Sequence, residues 1–206
     1  MSRTSGSFSN KTAPRVAQTA LRLFAKYGYA AVSMRQIARD VGVQVGALYN
    51  YTPDKQALLF NILLQHMESL LAAWARYPKR TDPLDQINDF IQFHLEFHFS
   101  KVDEVFVAYM ELRNLSPQNF IVIEKLRHDY ETVLQEILNA GLLAGQFRIR
   151  DAKIVTLAII GMLKEVGTWY RPDGRLGKPE IISLYQDMAL DFLGAKYAIK
   201  KDNLAN

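Results

Sequence analysis

Apolar residues recur along this chain every three to four positions, and no stretch alternates apolar and polar residues long enough to argue a strand. Val16, Ala20, Leu23, Phe24 and Tyr27 share one face of a first helix, which Gly28 stops. Residues 1–10 before it are polar and read as a flexible arm. Ser33-Met34-Arg35-Gln36 predicts a capping box, with Ser33 as N-cap and Gln36 reaching back. The helix it opens buries Ile37, Ala38 and Val41, and Gly42 supplies a left-handed stop. A short third helix is expected over 44–51. Thr52-Pro53-Asp54 then breaks the chain and caps a long helix from Lys55 to Arg76. After a Pro-containing joint over 77–83, four or five further helices follow, with breaks near 100–102, 114–117, 145–150 and 171–179. The pattern predicts an all-α chain of about nine helices: a three-helix head over 1–55 and a larger helical body over 56–206.

Composition removes several classes. The chain of 206 residues is 49% hydrophobic and has no cysteine, so a disulfide scaffold, a thiolate zinc site, an iron–sulfur cluster and a cysteine nucleophile are excluded. No apolar h-region follows the polar start. The longest apolar run, Ile154 to Leu163, is about ten residues, whereas a membrane span needs about 18. A soluble, cytoplasmic protein without membrane contact is expected.

Charge changes the picture more. The net +4 is uneven: residues 1–55 hold eight basic and two acidic side chains, a balance of +6, and the remainder holds 17 and 19. A basic end on a mildly acidic body suits a polyanionic partner, and equally a solvated basic face. The element inside the basic quarter decides. Residues 33–51 form a helix, a Gly turn and a second short helix, the helix-turn-helix arrangement. Gly42 allows the turn, while Ile37, Ala38, Val43 and Leu48 can pin the two helices together. Gln44, Val45, Ala47, Asn50 and Tyr51 fall on the outer face of the second helix. Gln and Asn there can pair with adenine in a major groove, and small apolar groups can meet a thymine methyl. The Ser33 hydroxyl, the Tyr49 hydroxyl and Lys55 are placed for phosphate contacts.

The run Ser33-x3-Ile37-Ala38-x3-Gly42-Val43-x2-Gly46-x-Leu48-Tyr49-x-Tyr51-x3-Lys55 resembles the DNA-binding head of the TetR (tetracycline-repressor-like) family, over residues 12–60. The resemblance implies a homodimeric transcription factor, usually a repressor, that leaves a palindromic double-stranded DNA operator when a small molecule enters its C-terminal domain. By position, Tyr49 and Lys55 would clamp phosphates, and Arg35, Gln44, Val45, Ala47 and Asn50 would face the groove. Two positions depart from the pattern: Gln44 replaces the usual Ser or Thr cap of the recognition helix, and Thr52 replaces a Phe.

The body is rich in aromatic residues. On the helix over 82–99, Leu84, Ile87, Ile91, His94 and His98 form one stripe, and Phe90, Phe93 and Phe97 a neighbouring one. Apolar character that wide means a surrounded helix. Phe106, Tyr109, Met110, Phe120, Ile123 and Tyr130 add to it, which suits either an apolar ligand pocket or a filled core. Arg113 could meet an anionic ligand or an ion-pair partner. His94 and His98 stand four apart, yet no third ligand accompanies them, so no metal and no cofactor are expected. Trp169-Tyr170-Arg171-Pro172-Asp173-Gly174-Arg175-Leu176, with Glu111-Leu112-Arg113 and Gly145-Gln146-Phe147, resembles a TetR branch that senses acyl-CoA thioesters of lipid, sterol or branched-chain catabolism. In that reading Trp169 stacks on an adenine, and Arg171 and Arg175 meet its phosphates; a plain Pro-Gly turn is the other reading. Lys164-Glu165 departs from the polar–aromatic pair of that branch. The last two helices, opened by Asp151 and Pro179, carry Ile154, Leu157, Ala158, Gly161, Leu184, Met188 and Phe192 and suit a four-helix dimer face. A lipid-binding protein without a DNA function is the alternative. An enzyme is not expected, because no GxSxG motif and no convergent carboxylate–histidine set is visible.

Overall fold

A computed structural model describes residues 6–195, with side chains described from Thr12 onward. The nine α-helices among the described residues are α1 (Gly6–Tyr27), α2 (Met34–Val41), α3 (Val45–Leu48), α4 (Lys55–Arg76), α5 (Pro83–His98), α6 (Val102–Met110), α7 (Pro117–Leu143), α8 (Ala152–Trp169) and α9 (Lys178–Phe192). A 3-10 turn, Leu112–Asn114, joins α6 to α7. The arm expected over residues 1–10 is corrected in part: residues 6–10 already belong to α1, and residues 1–5 lie outside the described residues.

The chain divides into two compact units, one built from the N-terminal stretch through Arg76 with Phe97–Asp129, the other from Tyr77–Glu96 with the stretch from Tyr130 onward. Helix α6 packs on α1 and α4 within the first unit.

In the first unit, α1 buries Val16, Ala20, Leu23 and Phe24, all but Tyr27 of the stripe expected from the sequence. Helix α2 has eight residues, too few to persist alone. It is held by complete burial of Ile37 and Ala38, and a buried Ile side chain contributes about 1.5–3 kcal/mol. The Asp54 carboxylate caps α4 by accepting from the Ala57 amide at 2.7 Å. Helix α4 is long and apolar enough to cross a membrane by length and composition. Its Leu58, Leu59, Ile62, Leu63, Met67 and Leu70 are instead buried against protein.

In the second unit, α5 buries Ile87, Phe90, Ile91, Phe93, His94 and Leu95. The buried Asp89 is matched by the Arg80 guanidinium, which donates to both its oxygens at 2.6–3.0 Å. Helix α8 opens on Asp151, whose carboxylate accepts from the Ile154 amide at 3.0 Å. Helix α9 carries Pro179 in its first turn and ends at Phe192. Gly141 faces the Phe147 ring so closely that a Cβ could not be placed there, which lets the chain fold back after α7.

Candidate nucleic-acid interface and effector-side residues

Ser33 adopts an extended backbone, and its hydroxyl accepts from the Gln36 amide at 3.2 Å. This is the half of the expected capping box that forms. Gly42 has φ +80°, a region side chains with a Cβ rarely adopt, and its amide and that of Val43 return to the carbonyl of Ala38 at 3.0 Å. Val43, half-buried, and Leu48, fully buried, then fasten the turn over α2.

The third helix is shorter than the sequence suggests. It spans Val45–Leu48, and the chain continues to Tyr51 through i→i+3 bonds, Asn50 to Ala47 and Tyr51 to Leu48. The Gln44 side chain makes no capping bond to the first turn, which leaves its amides without a side-chain acceptor. On the outer face, Arg35, Gln44, Tyr49 and Asn50 are exposed, whereas Val45, Ala47 and Tyr51 are half-buried. The other departure, Thr52, is buried, and its hydroxyl donates to the Asp54 carbonyl at 3.0 Å.

Several cations of the basic head have structural partners. Arg15 donates to the Val41 carbonyl at 3.0 Å, and Arg22 meets Asp40 at 3.1 Å, which brace α1 on α2. Lys55 is tied down more firmly: its Nζ donates to the carbonyls of Tyr29 at 2.9 Å and Val32 at 2.8 Å and lies 4.2 Å from the Tyr29 ring centre. Burial holds its pKa below the ordinary lysine value, with nearby Glu111 opposing. An ammonium has three donors, so one remains for a phosphate.

Around Lys55 lies a polar latch that sequence reasoning missed. Glu111, only 7% exposed, accepts from the Tyr29 amide at 3.1 Å and from Asn114 Nδ2 at 2.6 Å. Gln56 donates to the Tyr29 hydroxyl at 3.2 Å and the Asn114 carbonyl at 2.8 Å, and accepts from the Ser116 amide at 3.0 Å. Together these bonds join the turn after α1, the start of α4 and the segment after α6. The available signal was the acid itself, since Glu111 follows the apolar run from Val105 to Met110, in which the Tyr109 hydroxyl is the sole polar side-chain group.

The effector-side residues fall in two groups. Phe90 and His94 are buried in the second unit against Tyr130, with His94 Nδ1 at 3.1 Å from its hydroxyl. Trp169 is 47% exposed and stacks on Tyr185, with ring centres 6.5 Å apart, while Arg171 donates to the Thr168 and Tyr170 carbonyls at the end of α8. In the first unit, Phe97 contacts His66 and His98, and Tyr109 lies under the Arg127 guanidinium. Phe106, Met110 and Arg113 are exposed. His94 and His98 do not act as a pair: one meets Tyr130, the other the His66 ring. Among the described residues no three His, Asp or Glu side chains group as a metal set.

Residues 17–62 match the profile of the bacterial regulatory proteins of the tetR family, and residues 80–193 match the tetracyclin repressor-like C-terminal domain. The repressor KstR2 of Mycolicibacterium smegmatis is 25% identical over 177 residues, covering 84% of this chain and 86% of its own. A tetR-family regulator from Rhodococcus RHA1 has the same fold with a TM-score of 0.83 and 30% identity, over 90% of this chain and 98% of that one. AibR, solved with isovaleryl coenzyme A and operator DNA, superposes with a TM-score of 0.77 at 22% identity, over 88% and 97% of the two chains. Two profiles that between them span the helix-turn-helix head and more than half of the chain make it a member of the TetR family of DNA-binding transcription regulators, which are not enzymes.

Proposed function

We propose that this chain is a homodimeric repressor, acting in the cytoplasm on a palindromic operator, that an apolar or acyl-CoA effector releases. Residues 1–55 read the DNA, and residues 56–206 bind the effector and form the dimer. The observation that carries the reading is the outer face of the helix-turn-helix. It presents Arg35, Gln44 and Asn50 to the groove, with Tyr49, Ser33 and the third Lys55 donor for the backbone. Val45, Ala47 and Tyr51 supply the apolar part of that surface.

The dimer face is formed by α8 and α9. Ile154, Leu157, Leu184, Met188 and Phe192 are 45–61% exposed and recur at helical spacing on those two helices, an apolar stripe that suits a symmetry mate. The polar latch provides the coupling. A shift of α6 moves Glu111 and Asn114, and with them the Tyr29 turn and Lys55, so the heads change spacing. A difference of about 1.4 kcal/mol in ligand affinity between the two states changes operator binding tenfold.

What supports an acyl-CoA effector is the exposed Trp169 beside Arg171 and Arg175, together with the shared fold of AibR, itself solved with isovaleryl coenzyme A. Phe97, Phe106, Tyr109, Met110, Arg113, Phe90 and His94 complete the proposed effector side. The test is fluorescence anisotropy on a labelled palindromic fragment from the adjoining intergenic DNA, titrated with isovaleryl-CoA, butyryl-CoA, free CoA and isovalerate. Binding that weakens steeply with salt and is released by the thioesters alone is the expected result. Release by none of the thioesters overturns the effector assignment, and salt-insensitive binding overturns the operator assignment.

A further inference from the structure

Helix α6 leaves one stripe uncovered in the first unit. Val102, Phe106 and Met110 follow one another at four-residue spacing and are 45%, 41% and 53% exposed, while Val105, Val107 and Ala108 of the same helix are buried. Apolar residues scattered singly over a surface need no explanation, but a row along one helix face marks an interaction surface.

The charges around the row say what covers it. At its N-terminal end a cavity of about 630 Å3 opens between α1 and the start of α6, lined by Gln18, Thr19 and Arg22 on one side and by Val102, Asp103 and Glu104 on the other. Arg22 is already matched to Asp40 at 3.1 Å, whereas Asp103 and Glu104 have no ion-pair partner among the described residues. The opening is therefore acidic. Beyond Met110, at the other end of the row, Arg113 is exposed and also has no ion-pair partner among the described residues. An apolar row with acids at one end and a cation at the other is complementary to itself when two copies run antiparallel, and a parallel pair would set acid on acid. A two-fold axis at Phe106 places Val102 against the Met110 of the second copy. It also brings Arg113 to the acidic opening, because Arg113 lies as far after Phe106 as Phe99, which lines that cavity, lies before it.

We propose that the outer stripe of α6 pairs with the same stripe of a second copy of this chain, each Arg113 guanidinium being received by Asp103 and Glu104 of the other. Three apolar side chains a copy place the contact among small, transient interfaces, so it adds to a stronger dimer contact and does not replace one. Phe106, Met110 and Arg113 also belong to the effector side proposed above, so effector and second copy exclude each other there; the pairing itself stands without that reading.

The chain has no cysteine, so single cysteines report the pairing without background. The full chain carrying Phe106→Cys is oxidised briefly with copper–phenanthroline over a dilution series, beside Glu68→Cys at an exposed site of α4. A disulfide needs Cα atoms within about 7 Å, so Phe106→Cys on the axis is expected to cross-link about tenfold faster than Glu68→Cys. Val102→Cys mixed with Met110→Cys should link faster than either variant alone. Arg113→Gln, added to Phe106→Cys, should slow the reaction about tenfold, since symmetry removes two ion pairs at once. Asp103→Asn with Glu104→Gln should slow it equally, and all three together no further, because they break the same contact. Phe106→Cys that links at the Glu68→Cys rate, a mixture without preference, or charge variants that change nothing or act additively would each overturn the pairing. Leu157→Cys on α8 reports the other proposed dimer face separately, so failure of one surface is told apart from failure of the other.

Discussion

Replacing Lys55 with methionine removes an ammonium while keeping most of its stem, and so separates two roles of one side chain. The ammonium donates to two carbonyls at 2.8 and 2.9 Å and stands over the Tyr29 ring. Hydrogen bonds from a charged donor contribute about 1.5–3 kcal/mol each, and a partly exposed cation–π contact about 0.5–1 kcal/mol. Desolvation of the ammonium opposes them, as its lowered pKa records. The net is about 2 kcal/mol. For a chain of this size each kcal/mol moves Tm by about 2–4 °C, so Lys55→Met should melt about 4–8 °C lower at equal protein concentration. On the operator, the slope of log K against log salt should flatten by about 0.9 for each phosphate that Lys55 no longer neutralises. An unchanged Tm would show that the carbonyl bonds contribute nothing. Weakened binding with an unchanged salt slope would show that Lys55 only holds the turn, which sinks the clamp assignment.

Three further outcomes are expected. Glu111→Ala leaves the Tyr29 amide and the Asn114 side chain without their acceptor and should lower stability in urea by about 2–4 kcal/mol, and Glu111→Gln, which keeps one acceptor, by clearly less; equal losses would refute the latch. His66 favours its neutral form in the fold, with a pKa near 4 against 6.5 when exposed, so its contribution is intact above pH 6.5 and lost as pH falls toward 4. Acid unfolding should therefore be eased by about 3 kcal/mol through this group alone, and His66→Leu should flatten the stability profile between pH 6.5 and 4. Leu157→Glu with Met188→Glu places charges on the exposed α8–α9 stripe and should convert a dimer to a monomer in light scattering; an unaltered mass would move the dimer face elsewhere.

The head is legible in the sequence because its signals are local. Ser33, Gly42, Asp54 and the apolar set Ile37, Ala38 and Leu48 each act on backbone within a few residues, and all behave as their chemistry predicts. The third helix stops short of its apolar pattern and gives way to i→i+3 bonds after Leu48, which shows only once the backbone is placed. The aromatic residues are harder to read. Phe90 and Phe106 look alike in a periodic pattern, yet one is completely buried and the other 41% exposed. Periodicity identifies an apolar stripe but not what the stripe meets.

Helix order and the basic, helix-turn-helix character of the head follow from the sequence by itself, because capping, turn chemistry and hydrophobic period are short-range. Only the tertiary structure brought Gln56 and Glu111 to the turn at Tyr29, across 27 and 82 residues of chain, and Asn114 to Gln56 across 58. It likewise tied the Lys55 ammonium to two carbonyls and left the His66 Nδ1 buried without a partner. Those features depend on which polar atoms meet when helices pack, and no residue spacing encodes that.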